Sequence, residues 1–568
     1  MFTFSAFFAV GSSAHTYLPN GALPDELTPA AKSLRSKGGI PRLETSLSEL
    51  YMNRTQRSAM SSHSADQVEA YLVDDSVQVV FVLDDARFLE TVKVSALSSG
   101  ASVIAEFENR LELVVPVAEL RTLSELEGVT YVRMPRPVFP INATPPAADF
   151  STGSNVTQGV SRSNANAWHQ RGITGRGVKV AILDSFKDYQ TAQSLGELPP
   201  SITRFGTVDI SSRHGTAVAE IIYDMAPDAA LTIASPGSAT QMAQQIVQLA
   251  QAGNRVISSS IGFYLDEPGD GSGTVSSAIN TATNAHDAVY SQAAGNQALY
   301  HWDGYFTDND GNDTHNFTSQ ADVNQLGYLQ PGVPINLFLR WNNWPVSNQD
   351  YDLYLLFSTG GNWEVIAASE NLQNGSQPPV EWITGTTSRA GFYGFAIVKY
   401  SATGNQVLDI MGHNMPGFQF NIPQRSLVDP ATGTRSFSVA AVDVSSTLRE
   451  SYSSQGPTHG PGGALTGGMT KPRISGFANV DTWSYGPGVF NGTSSATPHV
   501  AGAAALVRQA FPAYSALNVM QWLEQRAIDR GAAGYDYLYG LGLLFLGVPP
   551  EIVGAGFLPA VYLMLLLH

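Results

Sequence analysis

The chain has 568 residues, a length that fits three or four domains at about 150 residues each. Hydrophobic residues make up 43%, enough for more than one core, and charged residues only 14%, against roughly 25% in an average globular protein. This excludes a disordered acidic tail, a histone-like basic protein and a long coiled coil. A net charge of −17 sets the chain against phosphate backbones, so no nucleic-acid partner is expected. With no Cys there is no disulfide scaffold, thiol nucleophile or thiolate zinc site.

In chain order, residues 1–75 form a poorly defined leader. Phe2 to Val10 is apolar and Ser12-Ser13-Ala14 offers a small-residue cleavage site, but no basic stretch precedes them. A truncated export signal and ordinary chain both stay open. Residues 76–138 read as a small α/β unit. Val77 to Leu83, Ser102 to Phe107, Arg110 to Val115 and Val129 to Met134 are its strands, and Pro116 opens a short helix that Gly128 ends. Prolines 137, 140, 145 and 146, with Ser, Gly and Asn, mark 139–162 as a linker.

A second α/β region spans 163–304 and resumes over 431–547. Val178 to Leu183 is an apolar strand ending in Asp184, at the strand end where α/β folds place ligands. Between them, 305–430 carries short aromatic-rich strands (Ile335 to Trp341, Tyr351 to Phe357, Trp363 to Ala368, Phe392 to Tyr400, Val407 to Met411) without helical periodicity. It reads as an inserted all-β sandwich. The tail, 548–568, holds an uncharged run from Ile552 to Leu567, short of the about 20 residues of a spanning helix. A membrane anchor and a packed terminal segment are both compatible with it.

The strongest chemical signal is Asn491-Gly-Thr-Ser-Ser-Ala-Thr-Pro-His-Val-Ala-Gly502. Ser494 falls in the first turn of a helix rich in small residues, where its N–H is free and the helix dipole favours an oxyanion. Pro498 is expected near the helix start, where a missing N–H costs least. Alone, Ser494 is equally an N-cap, and His214 in Arg213-His-Gly-Thr216 a surface histidine. Asp184 is equally a helix cap, and Asn296 in Ser291-Gln-Ala-Ala-Gly-Asn296 a turn residue. Together, in the order Asp184, His214, Asn296, Ser494, they are much harder to attribute to chance.

On these residues the sequence resembles the subtilisin-like serine peptidases, whose chain order is Asp, His, Ser. The matching stretches are Val180-Ala-Ile-Leu-Asp184, His214-Gly-Thr216, Ala293-Ala-Gly-Asn296 and Gly492 to Gly502. The resemblance implies an α/β fold whose catalytic domain is built on a parallel sheet, and a serine endopeptidase working through an acyl-enzyme. Ser494 would be the nucleophile, His214 its base and Asp184 the holder of the His214 tautomer. Asn296 and the Ser494 N–H would bind the oxyanion. Ser260, Ile261 and Gly262 would face Ala293, Ala294 and Gly295 across the primary specificity pocket. The partners implied are polypeptide substrates and the protein's own propeptide, the 76–138 unit, acting as inhibitor and cut off between about 135 and 165. No cofactor is required for the chemistry; structural calcium is compatible with the family, and no metal ligands are assigned. A secreted or envelope-associated location fits, with membrane association only through the tail.

Several positions depart from the family pattern: Ser495 for Met, Ser-Phe-Lys-Asp188 after Asp184, Ala217 for a second His and Glu220 for Gly. They put the subsites and a first calcium site in doubt. Asp308-Asn-Asp-Gly-Asn-Asp313 resembles a cation loop, but its Gly is misplaced for an EF-hand. Asp266, Glu267 and Asp270 read as a solvated loop, or as a group favouring basic substrate side chains. Two alternatives stand beside a broad peptidase: a narrow-specificity processing peptidase, and a catalytically silent binding protein on the same scaffold.

Overall fold

The computed structural model describes residues 17–18, 23–24, 27, 37, 39–141 and 155–551. The apolar run at 2–10, residues 142–154 of the expected linker and the tail from 552 lie outside the described residues. Among the described residues no helix is long and apolar enough to cross a membrane.

Seven parallel strands form the centre, in the order Ile474–Ala478, Ser436–Asp443, Val289–Ala293, Val256–Ser259, Lys179–Leu183, Ala230–Ala234 and Thr203–Phe205. Central strands such as Val256–Ser259 and Val289–Ala293 are buried along their whole length, as expected of a parallel sheet covered on both faces. Along Lys179–Leu183 the side chains alternate. Val180 and Ile182 join the core under helices His214–Met225 and Gly492–Ala510. Ala181 and Leu183 join the core under Ala239–Gln251 and Thr274–His286. One strand thus ties both helical layers together, and Asp184 leaves its carboxyl end.

The N-terminal unit is a five-stranded antiparallel sheet. Ser76–Leu83 pairs with Leu72–Val73, Arg110–Pro116 and Val129–Arg133, and Ser102–Phe107 pairs with Arg110–Pro116. It has its own core around Leu47, Val79, Phe81, Leu111 and Leu113. The helix after Pro116 begins as the 3₁₀ turn Val117–Glu119 and continues as Leu120–Ser124. Helices Thr45–Gln56, Ser62–Glu69 and Leu89–Ser98 were not apparent from the sequence. In Leu89–Ser98 only Val92 and Ala96 are buried, too sparse a stripe to read as a helical face.

Two four-stranded antiparallel sheets make up the insert. One comprises His301–Tyr305, Val407–Gly412, Pro334–Trp341 and Val380–Thr386. The other comprises Asn324–Leu329, Gly391–Ser401, Asp350–Ser358 and Glu364–Ser369. Leu337, Leu339 and Ile410 of the first share one core with Leu353, Phe395 and Ile397 of the second. His301–Tyr305 lies before the expected boundary at 305; strand pairing over a long separation, not local pattern, places it in the insert. Arg340 ties the insert to the parallel-sheet body by donating to the Glu267 carbonyl at 2.8 Å, and it also donates to Asp409 at 2.6 Å and Asp429 at 2.7 Å.

Candidate active site

The first turn of Gly492–Ala510 carries Ser494, fully buried. Being in that first turn, its N–H is one that a helix leaves without an internal acceptor. Pro498 lies well inside this helix, not near its start as expected. Lacking an N–H, Pro498 cannot bond the carbonyl of Ser494 four residues back. That carbonyl instead accepts from Ser260 Oγ at 3.0 Å. The interior proline therefore frees a group that ties the Ser494 turn to the strand at 260.

His214 opens its helix and is completely buried. Its Nδ1 lies 2.8 Å from both carboxylate oxygens of Asp184. Gly215 permits this approach, because a Cβ there would sit 2.5 Å from Asp184 Cβ and 2.6 Å from the Ser185 carbonyl. Nε2 of His214 has no hydrogen-bond partner among the described residues. The Ser494 hydroxyl donates elsewhere: to the carbonyl of Ile141, and at 3.3 Å to that of Ser260.

Asn296 is oriented from its oxygen side. Its Oδ1 accepts from Thr493 N and Thr493 Oγ1, both at 3.0 Å. That leaves Nδ2 to donate to the Ile141 carbonyl at 3.2 Å. Gly295 before it has φ of 116°, a conformation open to glycine.

The segment that reaches this carbonyl was read as linker. Instead Phe139–Pro140 pairs antiparallel with Ile261–Gly262, and Ile141 N donates to Ser260 O at 2.9 Å. Prolines are tolerated here because the pairing is a short ribbon with a free edge. Phe139 and Ile141 point the same way along the strand. Ile141 belongs to one apolar cluster with Tyr264, Ala293, Phe338, Met411 and Val428. Phe139 packs at 5.8 Å from Phe338 and 5.0 Å from His413. Tyr264 stacks on Phe338 at 4.4 Å, and its hydroxyl lies 3.1 Å from His413 Nδ1. Burial pulls His413 down to about 4, so it stands there as neutral imidazole. Phe338, Met411 and His413 come from the insert, which therefore supplies a wall of the cleft. No local signal in the sequence marked these three.

Ser260, Ile261 and Gly262 line one side of the Ile141 strand, and Ala293 shares the apolar cluster around Ile141, whereas Ala294 bonds Val439 and Val428 and Gly295 abuts Ser454 and Val428. Gly262 is in contact with the bound segment: a Cβ there would lie 2.9 Å from Ile141 Cδ1 and 2.7 Å from Val428 Cγ1.

The N-terminal unit docks through a buried carboxylate, Glu112, and an exposed one, Glu108. Glu112 accepts from Ser238 Oγ at 2.5 Å and Gln241 Nε2 at 2.9 Å, at the start of Ala239–Gln251. Glu108 accepts from Ser277 at the start of Thr274–His286. Both placements satisfy the positive end of a helix. Arg133 forms a buried ion pair with Asp266.

Asp266 and Glu267 are thus not a solvated loop. Glu267 is fully buried and caps a helix, accepting from Val275 N at 3.0 Å and Ser276 N at 3.1 Å. Burial, with Asp429 nearby, holds its carboxyl well above the ordinary range. In the 308–313 loop, Asp308 accepts from the N–H groups of Gly311 at 2.8 Å and of Asn312 and Asp313 at 3.1 Å, and Lys399 lies 2.9 Å from Asp313. Asp310 accepts from Asn312 Nδ2 at 3.0 Å. Among the described residues no three His, Asp or Glu are grouped to hold a metal.

Glu220, in place of the usual Gly, accepts from Ser484 N at 3.2 Å and from Ser484 Oγ. Burial pushes its carboxyl up to about 8, and that of Asp224 up to about 7.

The profile of the subtilase family matches residues 175–326 and 358–542, more than half of the chain. The chain belongs to the subtilase family. Subtilisin BL of Lederbergia lenta is 50% identical over 54 residues, 10% of this chain and 19% of that protein. The subtilisin of Bacillus pumilus is 36% identical over 115 residues, 20% of this chain and 37% of that protein. The extracellular serine protease of Serratia marcescens is 38% identical over 84 residues, 14% of this chain and 8% of that protein. The chain therefore matches about a fifth of the length of subtilisin BL and little over a third of the Bacillus pumilus enzyme.

Proposed function

We propose that this protein is a serine endopeptidase that first cuts its own chain between Ile141 and Asn142. The observation that carries this reading is the Ile141 carbonyl, held at once by the Ser494 hydroxyl and the Asn296 amide. Ser494 Oγ attacks that carbonyl carbon as His214 Nε2, otherwise unpartnered, takes its proton. Asp184 on Nδ1 fixes the tautomer and stabilises the imidazolium. The Asn296 Nδ2 and the Ser494 N–H stabilise the oxyanion. The intermediate collapses as His214 returns the proton to the amine of Asn142, and water then releases residues up to Ile141 from the acyl-enzyme. The N-terminal unit, still docked through Glu112 and Arg133, remains as an inhibitor until it leaves.

A narrow-specificity processing enzyme is favoured over a broad one, because the insert walls the cleft with Phe338, Met411 and His413. Substrates are polypeptides presenting an apolar residue before the cut. Action outside the cell is supported by the likeness to the extracellular serine protease of Serratia marcescens.

The test is intact mass over time for the wild-type chain and for Ser494→Ala. Loss of residues 1–141 from the wild type alone is expected. Full-length wild type that also fails to take a serine-directed fluorophosphonate would refute the reading.

A further inference from the structure

The strand Asp350–Ser358 is buried along its whole length, on both faces. Leu353, Leu355 and Phe357 face the core between the two sheets of the insert. The alternate residues Tyr354 and Leu356 face outward, with Ala396 and Val398 of the neighbouring strand and with Val323 and Trp363. An outward face this apolar needs a cover. The chain's own N-terminal segment supplies it: Leu27 is buried in this cluster, and Leu18 and Leu23 pack against it. Gln325 holds the Leu18 backbone from both sides, its Oε1 accepting from Leu18 N and its Nε2 donating to Leu18 O, each at 2.8 Å. This recognises backbone, not a particular side chain.

At the far end of the segment lies a pocket for one ammonium group. Lys37 Nζ donates to Asp350 Oδ1 and Asp352 Oδ1 at 2.5 Å and to the Asn371 carbonyl at 2.8 Å. These use all three of its N–H bonds. The Tyr400 ring lies 4.5 Å away on another side. Lys37 is 8% exposed, Asp350 2% and Asp352 1%. Glu381 is also buried nearby, accepting from Asn371 Nδ2 at 2.7 Å and Gln373 Nε2 at 3.0 Å. Two carboxylates this deep are costly without a cation. Burial pushes the Asp352 carboxyl up to about 7, with Lys37 pulling against that rise.

We propose that this outer sheet face and its ammonium pocket form an exosite for an apolar polypeptide segment bearing a lysine. The chain's own Leu18, Leu23, Leu27 and Lys37 fill it before cleavage, and a substrate fills it afterwards. The proposal rests on the cleavage after Ile141 only for the vacating of the site.

The experiment uses a fluorescent peptide of residues 15–40 and the enzyme left after self-cleavage and removal of the N-terminal piece. Anisotropy should show binding at least tenfold tighter than for the same peptide with Lys37→Met. Uncut Ser494→Ala protein, whose site is filled, should bind neither. The peptide should also slow casein hydrolysis while leaving a short Phe-Pro-Ile reporter substrate untouched. Placing the change in the peptide leaves the fold of the enzyme intact. Absent binding, equal affinity of the two peptides, or equal inhibition of casein and the short substrate would each overturn the exosite. If the chain does not cut itself, that failure belongs to the cleavage reading. Full-length Lys37→Glu, which expels the segment by like charge, then provides the open site for the same binding measurement.

Discussion

Changing the residue before the cut from isoleucine to alanine tests the pocket most directly. Ile141 is 1% exposed, so the side chain is wholly removed from water. Alanine deletes three carbons, worth about 0.8 kcal/mol each when buried, or about 2.4 kcal/mol. At 1.4 kcal/mol per decade this is a ~50-fold difference in transition-state binding. The assay must be intermolecular. In self-cleavage the strand is already seated, and a contact made equally in ground and transition states leaves that rate unchanged. Reporter substrates Val-Phe-Pro-Ile and Val-Phe-Pro-Ala, presented to the mature enzyme, expose the full difference in kcat/KM, chiefly through KM. An aspartate at the same position should fall further still, since an unpaired carboxylate has no partner in that cluster. Equal kcat/KM for isoleucine and alanine within about threefold, or a preference for aspartate, would refute the assignment of this pocket.

Three further outcomes follow from the same geometry. Gly262→Ala places a methyl 2.9 Å from Ile141 Cδ1, so cleavage after isoleucine should drop at least tenfold relative to cleavage after alanine in the same reporter pair. Asn296→Ala should lower kcat on the short substrate by roughly 10²–10³, the cost measured for the equivalent amide in subtilisin itself, and near wild-type kcat would remove Asn296 from the oxyanion site. Glu220, whose carboxyl burial lifts to about 8, binds a proton in the folded chain at pH values where the unfolded chain has released it. Folding stability is therefore greatest below the unfolded carboxyl range and falls as pH rises toward 8. Glu220→Gln should raise Tm more at pH 8.5 than at about pH 5, and an equal shift at both would show that the ionisation carries no stability cost.

Much of the candidate site was legible because its parts are local. A strand end, a His-Gly-Thr helix start and a Gly-Thr-Ser turn each impose their own backbone, and three of the four residues sit at element boundaries that short patterns reveal. The parallel sheet was legible for a related reason: strands such as Val256–Ser259, buried on both faces, read as unbroken runs. The departures occur where distant segments meet. Phe139–Pro140 looked like linker because proline usually breaks a ladder, and only its partner strand at 261–262 shows that one edge suffices. Asp266 and Glu267 looked solvated because the donors they accept from, Arg133 far back in the chain and the 274–276 helix start after an intervening loop, are brought to them only by the fold. Pro498 was expected near the helix start because a proline costs least there, and only the Ser260 hydroxyl, which takes up the freed Ser494 carbonyl, shows how it fits further in.

The insert shows most clearly why specificity was harder to read than chemistry. The proposed chemistry needs particular atoms, so candidates such as Ser494, His214 and Asp184 leave a mark in any sequence that contains them. A cleft wall needs only apolar volume in the right place, and Phe338 and Met411 are indistinguishable by local pattern from the strand residues beside them. Their neighbours Leu337, Leu339 and Ile410 face the insert's own core. The period-2 alternation of the strands divides the two sets. One face stabilises the insert, and the opposite face of the same two strands meets Phe139 and the Ile141 cluster. Mutating an inward residue such as Leu339 should therefore destabilise the insert. Phe338→Ala should instead change which peptides are cut with little change in Tm, and a large Tm loss from Phe338→Ala would show that the outward face is structural.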